Sequence, residues 1–257
     1  MNEHFVVPDT QVRPGTPINH LRAAGNYVVS KKPDVIVFLG DHWDMHSLSS
    51  YDKGTKRAEG ARYQEDIDAG IAGMESFLEP LWAYNRHQTR NKKRLYRPRL
   101  VFLLGNHEER IMRYVNENPQ LAGKCSYADL RLEEMGFEVH DYQHPVDIDG
   151  VLYCHNFVNT DSLKKSVIGG TIENKMKHIG QSFTMGHQQI LQSGIRFLNS
   201  GRVIRGCVAG AFYQHPEEYM GPQGNHHFRG CIYKHEVDNG NYNLMELSMD
   251  YLLRKWS

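Results

Sequence analysis

The chain has 257 residues, of which 40% are hydrophobic, so it is long enough for one large α/β domain with a sizeable core. Its 30 Lys and Arg balance its 30 Asp and Glu, which excludes a dominant electrostatic field for nucleic acid or membrane but allows a local patch. The four cysteines form no CxxC pair, which argues against a zinc ribbon or redox motif and favours free thiols.

The beginning of the chain, MNEHFVVPDTQV, contains neither a basic segment nor a long apolar one. No stretch of the sequence approaches the ~18 consecutive apolar residues that a transmembrane helix requires. We therefore expect no secretory signal, no membrane partner and a cytoplasmic location.

The first half of the chain alternates short apolar runs with longer amphipathic stretches. The apolar runs predict strands at His4–Pro8, Val35–Leu39 and Leu100–Leu104. Apolar residues at helical spacing predict helices at Ile18–Ser30, Tyr63–Tyr84 and Glu108–Asn116. This alternation is typical of an α/β fold whose parallel strands are covered on both faces.

The second half of the chain is richer in strands. A helix is predicted at Leu163–Ile179, and residues 47–62 and 209–227 are predicted to be long loops, which are often functional. The predicted strands are Phe137–His140, Gly150–Cys154, Phe183–Met185, Arg202–Val208, Phe228–His235 and Tyr242–Ser248. Since there is no internal repeat and no linker, we expect a single domain over residues 1–257.

Polar residues follow several of these predicted strands directly. They are Asp9 after HFVVP, Asp41 and Asp44 after VIVFLG, Asn106 and His107 after LVFLLG, His155 after VLYC, and His187 after FTMG. The carboxyl ends of parallel strands share one edge of a sheet, where open α/β sheets bind ligands. Carboxylate, amide and imidazole groups brought together at such an edge suit a Mn, Fe, Zn or Mg ion.

The segments PDTQ, GDHWD, GNHEER, YCHN and GHQQ, which span residues 9 to 189, resemble the motifs of the calcineurin-like metallophosphoesterase superfamily in their order along the chain. Those motifs are D-x-H, G-D-x-x-D, G-N-H-[DE], H and G-H-x-H. The chain departs from them at Gln11 and Gln189, which stand where the family has histidine. A compact member with DTQ in its first motif is similar to bacteriophage phosphoesterases, and for a phage protein the expected location is the host cytoplasm.

The resemblance implies a four-layer α/β/β/α sandwich of two mixed sheets and hydrolysis of phosphate esters, as a phosphatase or phosphodiesterase, by a hydroxide that bridges two metals. Asp41 would bridge both metals. Asp9, Gln11 and Gln189 would complete the first metal site, and Asn106, His155 and His187 the second metal site. His107 would protonate the leaving oxygen, and Asp44 would orient His107.

The resemblance also implies two divalent ions, with Mn favoured and Mg, Ca, Fe, Ni and Zn as alternatives. Gln11 and Gln189 would leave the first metal site with oxygen ligands only, which should discriminate against Zn. The second metal site keeps two imidazoles. We therefore expect a tight second metal site and a weaker, harder first one, and two equally tight zinc ions would contradict this expectation.

Two other functions compete with the phosphoesterase. A metal-dependent nuclease acting on DNA or RNA is supported by the basic run Arg86 to Arg99, which could track a nucleic-acid backbone but is favoured as a solvated loop. A non-enzymatic binding scaffold is supported by the two glutamines, whereas the retention of His107 and Asp44 argues against it. His42 is interpreted as a substrate-loop or surface residue, and Arg110 as a phosphate ligand or an ion-pair partner. The natural substrate and the oligomeric state are not predicted.

Overall fold

The computed structural model describes residues 1–50, 59–161, 163–164, 166–217 and 221–257. It is an α/β structure with two mixed sheets. The strands, in chain order, are β1 (Asn2–Val7), β2 (Val35–Phe38), β3 (Arg99–Leu103), β4 (Glu138–His140), β5 (Val146–Ile148), β6 (Val151–Cys154), β7 (Phe183–Met185), β8 (Leu191–Phe197), β9 (Val203–Ala209), β10 (Gly230–Asp238) and β11 (Asn241–Ser248).

The first sheet has the order β11-β10-β1-β2-β3-β4, and the second has the order β5-β6-β7-β9-β8. β1, β2, β3 and β4 run parallel, as do β6, β7 and β9. The carboxyl ends of β1, β2 and β3 therefore lie at one edge of the first sheet, and those of β6 and β7 lie at one edge of the second. This is the arrangement that the alternating first half of the sequence predicts.

Helices connect and cover the strands. They are α1 (Asn19–Lys31), α2 (Tyr63–Arg90), α3 (Glu109–Glu117), α4 (Ile172–Ile179), α5 (Gly221–Gly224) and α6 (Met249–Trp256), with 3₁₀ turns at His46–Leu48, Pro119–Leu121 and Tyr127–Leu130. None of the helices in the described part of the chain combines the length and apolar character needed to span a membrane.

The prediction of a helix over Leu163–Ile179 is wrong for its first half. α4 begins only at Ile172, because the left-handed backbone at Gly170 breaks the pattern and Thr171 caps the helix by accepting a hydrogen bond from Asn174 N. Residue 165 of the predicted helix lies outside the described residues. So do residues 51–58 and 218–220 of the two predicted loops.

The predicted helix from Tyr63 is too short, because α2 continues to Arg90. The structure also contains strands β5 and β8 and helix α6, for which the sequence patterns gave no prediction. β8 lies at the edge of the second sheet and is half-exposed, so its residues do not show the apolar alternation that identifies a buried strand.

Three clusters of buried side chains form the core. One packs α1 and α2 against the first sheet, and another packs α4 against the second sheet. The third joins side chains of both sheets, with Val37 and Val101 of the first and Val151 and Cys207 of the second. The two sheets therefore share a common core.

A lysine lies inside that shared region. Lys234 of β10 is fully buried and donates hydrogen bonds to the Tyr153 hydroxyl, at 3.1 Å, and to the Thr184 hydroxyl. No carboxylate within ion-pair distance of its ammonium occurs among the described residues. Burial lowers the pKa of Lys234 from 10.5 to about 7, so the fold holds this cation at a free-energy cost.

Candidate metal and catalytic site

Five strand ends bring the sequence-predicted residues together. Asp9 follows β1, Asp41 follows β2, Asn106 follows β3, His155 follows β6 and His187 follows β7. Hydrogen bonds join the two sheets at this point, since His155 Nδ1 bonds the Leu39 carbonyl at 2.7 Å and His187 N donates to Asp9 Oδ1 at 3.1 Å. The edge of each sheet therefore contributes side chains to one site.

The backbone at the site is unusual. Gln11, Asp41, His187 and Gln189 all have a left-handed backbone, with φ between 38° and 65°. Such a conformation is uncommon for residues other than glycine and is maintained only where the surrounding structure enforces it. Four of the seven residues assigned to metal from the sequence share this feature, which is typical of a functional site.

The four side chains assigned to the predicted second metal site converge. Asn106 Oδ1 lies 3.0 Å from His155 Nε2 and 2.7 Å from His187 Nδ1. Asp41 Oδ2 lies 3.3 Å from His155 Nε2, and one ligand atom from each of Asp41, His155 and His187 lies within 4.8 Å of the others. Because ligands about 2.1 Å from one ion are themselves roughly 3 to 4 Å apart, this arrangement fits a divalent metal.

The hydrogen bond to Leu39 also fits the orientation that a metal-binding histidine needs. The Leu39 carbonyl accepts from His155 Nδ1, so in the neutral imidazole the lone pair lies on Nε2, which faces Asp41 and Asn106. A carbonyl that fixes the second ring nitrogen is the usual outer partner of a histidine ligand. His155 is fully buried, and the carbonyl therefore holds the ring without competition from water.

The residues assigned to the predicted first metal site include two buried oxygens with unused hydrogen-bonding capacity. Asp9 Oδ2 and Gln11 Oε1 have no hydrogen-bond partner among the described residues. Buried polar atoms are normally paired, so two orphaned acceptors indicate that something else completes the site. Gln189 Oε1 accepts from the Tyr213 hydroxyl at 2.8 Å, which positions this third side chain. Oxygen donors of this kind fit a hard cation.

The charges of the site follow from burial and from its neighbouring groups. Burial raises the pKa of Asp9 to about 7, and the nearby Asp41 charge acts in the same direction. Burial would also raise the pKa of Asp41, but the His107 and His155 imidazoles outweigh it and hold that pKa well below its usual range. Burial lowers the pKa of His187 to about 4, which keeps this ring neutral and able to donate a lone pair.

His107 and Asp44 pair as expected from the sequence. His107 Nδ1 lies 3.1 Å from Asp44 Oδ1, while Nε2 lies 3.8 Å from Asp41 Oδ2 and 3.1 Å from an Arg110 nitrogen. Burial lowers the pKa of His107, but the Asp41 and Asp44 carboxylates outweigh it and raise the pKa above its usual value. The imidazole is thus paired with a carboxylate on its Nδ1 side, while its Nε2 lies near Asp41 and within hydrogen-bond distance of Arg110.

Two arginines flank this pair in different ways. Arg13 Nε lies 3.2 Å from Asp44 Oδ2, and the same guanidinium pairs with Glu217. Arg110 instead donates to the backbone carbonyls of Asp44, at 2.8 Å, and Met45, at 3.3 Å. Within the described residues, Arg110 has no carboxylate partner, so its positive charge is not neutralised.

Glu108 joins two loops of the site through hydrogen bonds, a role that the sequence motif alone does not reveal. Its fully buried carboxylate accepts four backbone N–H groups, from Gly105, Asp41, His42 and Trp43, at 2.7 to 3.0 Å. These bonds tie the loop after β2 to the loop after β3. The only hint in the sequence is that glutamate occupies the fourth position of GNHE.

Two glycines leave room for the carboxylates. A methyl group on Gly105 would overlap Asp41 Oδ1, and one on Gly186 would overlap Asp9 Oδ1. Both positions therefore need a residue without a side chain. The sequence identifies these glycines only as parts of the motifs, because their contacts with the Asp41 and Asp9 carboxylates join segments that are distant in the chain.

The interpretation of His42 as a substrate-loop or surface residue is wrong. Its imidazole is fully buried and bonds the Thr10 hydroxyl at 2.6 Å and the Gly70 carbonyl at 2.9 Å. Burial lowers the pKa of His42 to about 4. This histidine therefore packs and hydrogen-bonds the loop after β2 rather than facing a ligand.

The basic run lies away from the site. Arg86 and Arg90 are on the last turns of α2, and Arg99 begins β3, whose other end leads to Asn106. Since α2 begins near the site and is about 40 Å long, the basic run is at the opposite end of the first sheet. The prediction of a solvated loop is correct for the exposed residues 91–94 and wrong for the helical ones.

Comparison of the chain with models of known protein families finds no match. Comparison with curated proteins finds no significant relative.

Proposed function

We propose that this protein is a metal-dependent phosphoesterase of the calcineurin-like metallophosphoesterase superfamily. The observation that supports this proposal is the convergence of ligand atoms from Asp41, Asn106, His155 and His187 beside the His107–Asp44 pair. The three core clusters support the family's four-layer α/β/β/α sandwich as the finer description of the fold.

The chain's own side chains would hold two divalent ions. Asn106, His155 and His187 would occupy the second metal site, Asp9, Gln11 and Gln189 the first, and Asp41 would be shared. When bound, such ions act as Lewis acids that polarise a phosphoryl oxygen and lower the pKa of a coordinated water. We favour Mn, because the two sites together offer carboxylate, amide and imidazole donors.

His107 would supply the proton for the leaving oxygen. Asp44 Oδ1 lies 3.1 Å from Nδ1, and this ion pair would hold Nε2 toward the reacting group. The two neighbouring carboxylates favour the protonated imidazole, which is the form that a general acid requires. In this role His107 contacts the substrate and Asp44 is the positioning residue.

Arg110 would bind the substrate phosphate. Its guanidinium lies 3.1 Å from His107 Nε2 and lacks a carboxylate partner within the described chain. A non-bridging phosphoryl oxygen next to His107 would provide that anion, and arginine binds phosphate with two parallel hydrogen bonds. On substrate binding the guanidinium would turn from His107 Nε2 to the phosphate, which frees the nitrogen that donates the proton.

The proposal is tested by hydrolysis of para-nitrophenyl phosphate and its bis ester with Mn, Mg, Ni and Zn in turn. We expect metal-dependent turnover by the wild-type protein and its loss in Asp41→Asn. The control Asp250→Asn makes the same change on the exposed first turn of α6 and should keep the activity. If the wild-type protein hydrolyses neither ester with any of these metals, a non-enzymatic binding scaffold is favoured. Cleavage of nucleic acid without cleavage of either small ester would favour the nuclease.

A further inference from the structure

A dense group of cations covers the end of the molecule opposite the candidate site. It comprises Lys31 and Lys32 at the end of α1, Arg90 at the end of α2, and Lys92, Lys93, Arg94 and Arg97 in the segment before β3. We refer to these seven residues as the basic end surface. All seven are exposed. The end of α1 lies against the last third of α2, since Lys32 Nζ bonds the Tyr84 hydroxyl at 2.7 Å.

The charge of this surface is not neutralised locally. None of its seven side chains forms an ion pair with a carboxylate in the described part of the chain. Two nearby acids pair with other cations, Glu79 with Arg86 and Glu138 with Arg99. Asp34 forms no ion pair with any described residue and leaves one negative charge beside the seven cations. Because the formal net charge of the whole chain is zero, these cations form a local positive patch and are not part of an overall positive charge.

Helix capping does not account for the surface. Cations in the last turn of a helix are stabilised by the helix dipole, and this explains Lys31 and Arg90. The effect falls off within one turn, however, whereas Arg94 and Arg97 lie four and seven residues beyond the end of α2. The helix dipole therefore does not explain why cations continue into the segment before β3.

An open groove with an aromatic wall adjoins the cations. This groove is shallow and largely open to solvent, and it is lined only by residues on one face of α2: Trp82, Asn85, Arg86, Thr89 and Arg90. The Trp82 indole is partly exposed there, about one helical turn from Arg86, which pairs with Glu79, and about two turns from Arg90. A flat aromatic ring bordered by cations is the arrangement that binds single-stranded nucleic acid, since bases stack on the ring and phosphates contact the cations.

The surroundings favour nucleic acid over an anionic membrane. A membrane-binding surface normally adds large apolar side chains that insert between lipids. Of the large hydrophobic side chains that are exposed in the described residues, Met1 is near this surface, since its chain neighbour Glu3 bonds Asp34, whereas others such as Phe197 of β8 and Leu163 belong to other segments. The basic end surface and its groove present polar and cationic groups around a single partly buried indole.

We propose that the basic end surface and the Trp82 groove bind single-stranded nucleic acid, at a position separate from the candidate catalytic site. Binding there does not require the metals, because the two sites lie at opposite ends of α2. The surface would tether the protein to a nucleic acid rather than present a scissile bond to the site. This inference does not depend on the proposed phosphoesterase activity.

Fluorescence anisotropy of a fluorescein-labelled 20-nucleotide oligothymidylate, measured in EDTA at increasing salt, tests the proposal. Each phosphate neutralised on a single strand contributes about −0.7 to the slope of log K against log salt. We expect the triple variant Lys92→Gln, Lys93→Gln, Arg94→Gln to flatten this slope by about 2 and to weaken binding roughly ten-fold at low salt. The control Lys124→Gln, Lys177→Gln, Lys255→Gln makes the same change of net charge at exposed positions elsewhere and should bind like the wild type.

Four outcomes would overturn the proposal. They are no binding by the wild type at the lowest salt, an equal loss in both triple variants, tighter binding to a duplex of the same length, and preference for phosphatidylserine vesicles. Because the titration is done in EDTA, it is independent of hydrolysis. The Lys92 triple variant should also retain the wild-type rate on para-nitrophenyl phosphate, so failure of this inference and failure of the proposed activity are distinguishable.

Discussion

Replacing Glu108 with glutamine tests whether one buried carboxylate holds the site together. Glu108 accepts four backbone N–H groups, two on each carboxylate oxygen. In Glu108→Gln one oxygen becomes an NH₂ group, which faces two N–H donors and cannot accept from either. Each buried donor left without an acceptor costs about 1–3 kcal/mol, so we expect the variant to be less stable by roughly 2–6 kcal/mol. That is a large share of the ~5–15 kcal/mol that stabilises a typical domain.

Urea denaturation followed by far-UV circular dichroism measures this loss, and Mn titration of the folded variant should show weaker binding because Asp41 is one of the tethered residues. Glu117→Gln is the matched control, since Glu117 lies exposed at the end of α3. Burial and the Asp41 charge raise the pKa of Glu108, whereas its four donors favour the ionised form. A loss of less than about 1 kcal/mol in the free energy of unfolding would refute the reasoning. It would mean either that the Glu108 carboxyl is protonated or that the two loops keep their conformation without it.

Three further changes test separate parts of the site and fold. Gly186→Ala introduces a methyl group against Asp9 Oδ1 and should weaken Mn binding at the first metal site at least about ten-fold by calorimetry, because a displaced carboxylate loses its coordination. Arg110→Met should raise the KM for para-nitrophenyl phosphate roughly ten- to hundred-fold, because the substrate phosphate would lose a charge-assisted hydrogen bond that contributes about 1.5–3 kcal/mol to binding. Lys234→Met should remove part of the pH dependence of the free energy of unfolding. In the wild type the unfolded lysine binds a proton up to about pH 10.5 and the folded one only up to about pH 7, so stability rises across this window by at most about 5 kcal/mol.

Each of these changes has a control and a contradicting result. Gly169→Ala adds a methyl group in open space and should bind Mn normally; equal loss in both glycine variants would mean that the effect is not the contact with Asp9. Arg22→Met removes an exposed arginine of α1, and a KM unchanged in Arg110→Met would remove Arg110 from the substrate site. If wild type and Lys234→Met gain stability in parallel between pH 7 and 9.5, Lys234 does not titrate in the fold.

The strands that build the site could be predicted from the sequence because they are buried and apolar. The run Phe183–Met185 was predicted with the boundaries that the structure has, and the runs after Val35 and Leu100 were correct to within one residue. β8 was not predicted, because it is a half-exposed edge strand with Gly194 at its centre. The predicted helix over Leu163–Ile179 is too long, because the helical spacing of apolar residues continues across Gly170, where the helix does not.

The ligand positions could be predicted for a similar reason. Asp9, Asp41, Asn106, His155 and His187 each follow a strand, and the shared edge of parallel strands brings such residues together. Supporting residues could not be found in this way. Glu108 bonds a loop 65 to 67 residues earlier in the chain, and Tyr213 bonds Gln189 from 24 residues later, so neither contact leaves a local pattern.

The most direct test of the proposed function is to measure metal content and turnover on the same sample of His107→Ala. The proposal assigns His107 to the leaving group and not to the metals, since its Nδ1 is held by Asp44 and its Nε2 lies 3.8 Å from Asp41. We therefore expect the variant to retain its Mn while turnover of para-nitrophenyl phosphate falls about 10²–10⁴-fold, the usual contribution of a general acid. Loss of Mn together with activity, or full activity without His107, would contradict it.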